Sequence, residues 1–111
     1  MAFELVTTLD GLWEGDMGAF QVGDQQILLA HLEGGEIVAT QLICPHQQFE
    51  LVDGELDGAE LTCKMHLWRF DLRTCAGINP SHAELARYPV RVDGEDIYVD
   101  PDGDRPRIAH S

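Results

Sequence analysis

Turn-forming pairs punctuate this chain so closely that the apolar segments between them have room for short strands and little else. Gly23-Asp24, Gly34-Gly35, Asp53-Gly54, Asp57-Gly58 and Asp93-Gly94 all carry glycine, the residue that reverses a chain at least steric cost. Between them, Phe3 to Thr8, Met17 to Val22, Gln26 to Leu32, Glu36 to Ile43, Leu67 to Asp71, Tyr88 to Val92 and Glu95 to Val99 read as strands. Leu51 to Leu61 reads as turn-rich with short strands, and Asp10-Gly11-Leu12-Trp13 as a turn or one helical turn. Asp93-Gly94 is the strongest hairpin signal. No long 3.6-residue periodicity appears, although Ser81 to Arg87 has room for two helical turns. The expected fold is all-β, an antiparallel sandwich or barrel. At 111 residues the chain makes one domain, 1–111, with an irregular tail over 100–111.

Charge narrows the partners. Seven basic residues against twenty acidic ones give a net charge of −13. Phosphate backbones and anionic membrane surfaces both need a positive face, so no nucleic acid and no membrane partner is expected. No Lys or Arg precedes Lys64, whereas acids run from Glu4 to Glu60. Such a field solvates the surface and also steers the molecule toward a basic patch on another protein. No stretch approaches the roughly 18 apolar residues of a membrane helix. Met1-Ala2-Phe3-Glu4-Leu5 lacks the basic start of a signal peptide, so a cytoplasmic location is expected, with a monomer in solution.

The chemistry sits in two short segments. Cys44-Pro45-His46 and Cys63-Lys64-Met65-His66 each pair a sulfur with an imidazole, and sixteen residues separate them. Each follows an apolar strand end, Leu42-Ile43 in one case and Leu61-Thr62 in the other. Two soft thiolates and two imidazoles on two loops point to a metal site. A structural zinc site is the rival reading, but zinc fingers pair like with like, whereas each loop here mixes the two donors. Cys75 has no neighbour at ligand spacing and reads as packing. His31, His82 and His110 read as structural or solvated.

Cys-Pro-His followed by Cys-x-x-His-x-Trp-x-Phe resembles the Rieske-type [2Fe–2S] proteins. Within that family, Cys-Pro-His-Gln, His-Leu-Trp, Gly77-Ile78-Asn79-Pro80 and Ala109-His110-Ser111 are most similar to the ferredoxin component of toluene 4-monooxygenase-type diiron monooxygenases. The resemblance implies a β base with a cluster-binding subdomain over about 40–85. It implies that Cys44 and Cys63 hold the inner iron, and that His46 and His66 hold the outer one. It also implies a one-electron carrier, itself without turnover. Its partners would be an NADH-dependent flavin reductase and a diiron hydroxylase oxidising aromatic or alkene hydrocarbons. A ferredoxin of a Rieske ring dioxygenase, or a nitrite reductase small subunit, stays open as the alternative.

Departures from the respiratory members are informative. Their extra loop cysteines are replaced by Gln47 or Gln48 and by Met65, so no bridge between the loops is expected. Their hydroxyl donors to the cluster are replaced by Trp68 and Phe70. Fewer hydrogen bonds to sulfur stabilise the reduced state less, so the potential is expected near the low end of the Rieske range, roughly −150 mV. The ligand imidazoles hold their protons more tightly when the cluster is reduced. The potential should therefore fall as pH rises in the alkaline range. Gln47, Gln48, Lys64, Met65 and Leu67 are candidates for a docking rim, Trp68 for packing over the loop, and Pro80 for shaping a third loop over the cluster.

Overall fold

The computed structural model describes residues 3–43, 50–63, 68–79 and 84–103. Strand β1 (Glu4–Thr8) runs into a single 3₁₀ turn at Leu9–Gly11, where the sequence predicts a turn. Strands β2 (Met17–Val22) and β3 (Gln25–His31) pair with Val22 opposite Gln25, so Gly23–Asp24 is the whole connection. Gly23 has φ 60°, which places glycine first in the turn, as a hairpin of this length favours. Strand β4 (Ile37–Gln41) completes this meander.

A second 3₁₀ turn, Leu51–Asp53, leads to a separate four-stranded meander. It comprises β5 (Glu55–Asp57), β6 (Glu60–Thr62), β7 (Arg69–Asp71) and β8 (Ala76–Asn79), each paired with the next. The chain then returns through β9 (Arg87–Tyr88) to the edge of β4, and ends in the hairpin β10 (Val90–Asp93) and β11 (Asp96–Val99). β11 lies between β10 and β1. Every strand pair is antiparallel, and no α-helix occurs among the described residues.

Three local readings are corrected. Tyr88 to Val92 is not one strand, because Pro89 interrupts it. Proline has no N–H to give to a ladder, so Tyr88 pairs with Ala39 before the break and Val90 with Val99 after it. The last hairpin turns at Gly94–Glu95, since Asp93 pairs with Asp96, one residue later than Asp93-Gly94 predicts. The described part of Ser81 to Arg87 is extended rather than helical: Glu84 bridges Ala76, and Arg87 belongs to β9. Ser81 and His82 lie outside the described residues, as does the tail from 104 onward.

The sheet β2–β3–β4–β9 is a wall with a core on each side. Ile27, Leu28, Leu29 and Ala30 are all fully buried. Side chains alternate along a strand, so Ile27 and Leu29 join one cluster with Tyr88, Ile97 and Val99. Leu28 and Ala30 join the other, with Leu42, Leu51, Leu61, Phe70 and Leu85. Burial on both faces accounts for the uninterrupted apolar run in a strand that hydrophobic alternation would have left half exposed.

Candidate functional site

Three loop stems share the second core. The first joins Ile43 to Glu50 by an isolated antiparallel bridge, with Leu51 N–H donating to the Leu42 carbonyl at 2.7 Å. The second is the end of the β6–β7 ladder, where Cys63 N–H donates to the Trp68 carbonyl at 2.7 Å. The third joins Ala76 to Glu84, with Leu85 N–H donating to the Cys75 carbonyl at 2.8 Å. Leu42, Leu51, Leu61, Cys63, Phe70, Leu72, Cys75 and Leu85 belong to one buried cluster, so one packed body carries all three stems.

Of the four candidate donors, the described residues include Cys63. Its side chain is 1% exposed and forms no disulfide. Cys44, His46 and His66 lie outside the described residues, as do Gln47, Gln48, Lys64, Met65, Leu67 and Pro80. In the sequence, Cys44 directly follows Ile43, and His66 falls between Cys63 and Trp68. Trp68 is partly buried against the core, and its ring lies 6.5 Å from that of Phe70 at a 50° tilt. Phe70 is fully buried. Cys75 is buried in the same core at φ 61°, in the Leu72–Cys75 turn, where its N–H donates to the Asp71 carbonyl at 2.6 Å.

Gly54 escapes the sequence reading. Asp53-Gly54 signals a turn and nothing more, yet Gly54 brings the exit of the first stem against the entry of the second. A Cβ added at Gly54 would lie 2.1 Å from the Thr62 carbonyl oxygen, a backbone atom that cannot swing aside. The strand pair fixes this approach, because Glu55 stands opposite Thr62. Gly54→Ala should therefore destabilise the fold by about 1–3 kcal/mol through overpacking. Urea denaturation checks this, and a change below about 0.5 kcal/mol would mean that the two stems separate freely.

Charge around the stems is mostly acidic. Arg69 is paired with Glu60 at 3.1 Å and Arg87 with Glu36 at 3.2 Å, both at the surface. Such exposed pairs add little stability, but they offset two of the few cations and leave the surrounding carboxylates to set the field.

The sequence matches the model of the Rieske [2Fe-2S] domain over residues 3–89. The chain belongs to the Rieske [2Fe–2S] family. Like other Rieske ferredoxins, it is an electron carrier rather than a catalyst, and its cofactor is a Rieske-type [2Fe–2S] cluster. The donor chemistry fits that group: a buried thiol at a strand end, in a motif that pairs each sulfur with an imidazole. Among relatives, the ferredoxin component of the alkene monooxygenase system of Xanthobacter autotrophicus (strain ATCC BAA-1158 / Py2) is 41% identical over 96 residues, 85% of this chain and 77% of that one. The ferredoxin component of the p-cumate 2,3-dioxygenase system of Pseudomonas putida is 38% identical over 95 residues, 82% of this chain and 79% of that one. Among solved structures, the ferredoxin of carbazole 1,9a-dioxygenase from Nocardioides aromaticivorans IC177 superposes with a TM-score of 0.83 at 31% identity, covering 92% of this chain and all of that one. The Rieske fold expected from the motif is thus the fold observed. No helix among the described residues is long and apolar enough to cross a membrane.

Proposed function

We propose that this Rieske protein is the ferredoxin component of a multicomponent monooxygenase. It takes single electrons from an NADH-dependent flavin reductase and passes them to a diiron hydroxylase acting on an aromatic or alkene hydrocarbon. Cys44 and Cys63 hold the inner iron, His46 and His66 the outer one, within a subdomain of about 40–85 in a single domain. The cluster, when bound, supplies one-electron exchange. The chain supplies the rest. The stems would anchor the two loops, and the apolar core behind Cys63 would keep water from the sulfurs. The observation that carries this reading is the 41% identity to the ferredoxin component of the alkene monooxygenase system, beside a Cys63 thiol buried in the core that the three stems share.

The acidic field steers a transient encounter with a basic partner surface, which suits a monomeric carrier in the cytoplasm that must release quickly. Gln47, Gln48, Lys64, Met65 and Leu67 form the rim of that contact, and Pro80 shapes the third loop. A second reading, service to a Rieske ring dioxygenase, is favoured by the 38% identity to the p-cumate system component. Reconstitution separates the two. The protein is mixed with a flavin reductase and either a diiron hydroxylase or a Rieske oxygenase, and product is measured per NADH. Coupled turnover with the diiron enzyme alone supports the first reading, and turnover with the Rieske oxygenase alone overturns it.

The potential follows from the donors that the sequence lacks. Phe70, which stands where the respiratory members carry a hydroxyl, has no hydrogen-bond donor, and a hydroxyl on the cluster would lower the energy of the reduced state. A redox titration should give a midpoint near the low end of the Rieske range, roughly −150 mV, falling as pH rises in the alkaline region. A midpoint well above zero would contradict this account.

A further inference from the structure

The buried side-chain amide of Gln41 bonds the Ile43 carbonyl on one side and the Ala86 N–H on the other. Gln41 is the last residue of β4 and is 2% exposed. It stands beside Ala86, just beyond the two-residue pairing of β4 with β9. Gln41 N–H donates to the Ala86 carbonyl at 3.3 Å. In a regular antiparallel ladder Ala86 N–H would return a bond to the Gln41 carbonyl. Here that N–H donates to the side-chain oxygen Oε1 instead, at 2.9 Å. The other half of the same amide, Nε2, donates to the Ile43 carbonyl at 2.7 Å.

That carbonyl belongs to the peptide unit joining Ile43 to Cys44. A peptide unit is planar, so holding its oxygen orients the whole plane from which the chain enters the first loop. Ala86, at the other end of the amide, directly follows Leu85, whose N–H closes the third stem on Cys75. One neutral amide, donor and acceptor at once, thus joins the entry of the first loop to the exit of the third. No apolar side chain performs this task, and an ionised carboxylate performs half of it.

We propose that Gln41 is a positioning residue for the cluster, its amide setting the chain that leads into Cys44 against the stem of the third loop. The proposal rests on the assignment of Cys44 as a ligand.

The test uses the anaerobically assembled holoprotein. The wild-type spectrum comes first: without a Rieske signature it is the ligand assignment that fails, before any variant is compared. Gln41→Met removes both bonds at similar volume. Gln41→Glu, read at pH 9, keeps the acceptor for Ala86 and loses the donor to Ile43. Thr40→Val is the control, since Thr40 is equally buried one residue away and its hydroxyl donates to the Gln41 carbonyl at 3.1 Å. Both Gln41 variants should show altered electron paramagnetic resonance g-values and a shifted midpoint potential. Gln41→Glu should lose iron to a chelator about fivefold faster, the factor that corresponds to one hydrogen bond, and Gln41→Met faster still. Thr40→Val should match the wild type in all three. A folded Gln41 variant with unchanged g-values and iron-loss rate overturns the proposal. So does failure of both Gln41 variants to fold, which would make the residue a support of the fold alone.

Discussion

Cys63→Ser should yield a colourless protein, with iron and acid-labile sulfide falling together to near zero and electron transfer from the reductase abolished. Oxygen is a hard donor and a poor substitute for thiolate on iron, so under the proposed ligand set the inner iron would lose one of its two protein sulfurs. The strands should survive. The bond that closes the second stem runs from the Cys63 backbone N–H to the Trp68 carbonyl, and serine keeps it. The buried hydroxyl brings a cost of about 1–3 kcal/mol, small enough for the β signature in far-ultraviolet circular dichroism to persist. Cys75→Ser is the matched control. Cys75 lies in the same core at similar burial, so serine imposes the same change of polarity there. That variant should keep its colour and its iron. A Cys63→Ser protein retaining full iron and the same spectrum would show that the thiol is not a ligand.

Phe70→Ala should cost about 3–5 kcal/mol of stability, the range for deleting a fully buried aromatic side chain. A domain of this kind has about 5–15 kcal/mol in all, so the loss consumes a large share of it. Phe70 is fully buried, faces Leu61 across the β6–β7 ladder and supports the Trp68 ring. The cavity would open beneath the strand that follows the second loop, so cluster retention should suffer along with the fold. Phe3→Ala supplies the contrast: Phe3 is 44% exposed, and its removal should change stability by no more than about 0.5 kcal/mol. Urea melts of the assembled protein, with the transition slope held in view, measure both. A loss below 1 kcal/mol for Phe70→Ala would mean that the core relaxes into the space.

The family was legible because the motif that marks it is local: Cys44-Pro45-His46 and Cys63-Lys64-Met65-His66 occupy two stretches of three and four residues. Most strands were legible for the same reason, since glycine turns and alternating side chains act over a few residues. What escaped depends on contacts distant in sequence. β8 has no strong strand pattern in Ala76–Asn79, and its pairing with β7 makes it a strand. The break at Pro89 becomes a change of sheet because β4 is waiting on one side and β11 on the other. Gly54 looks like any turn glycine until the Thr62 carbonyl is found against it. Gln41 looks like an ordinary polar strand end, yet its partner Ala86 is 45 residues away. Hydrogen bonds of that span leave no periodic trace in a sequence.

The place of β11 bears on how the protein is made. It is the last strand among the described residues, yet it sits between β1 and β10. A polypeptide emerging amino end first cannot close that layer until β11 has been synthesised, and β1 must wait for a partner. The meander over residues 55–79 links only sequential neighbours, and short-range pairing of this sort is kinetically quick. The sheet that carries Cys63 is therefore able to take shape during translation, ahead of the layer that closes on the far side of the wall.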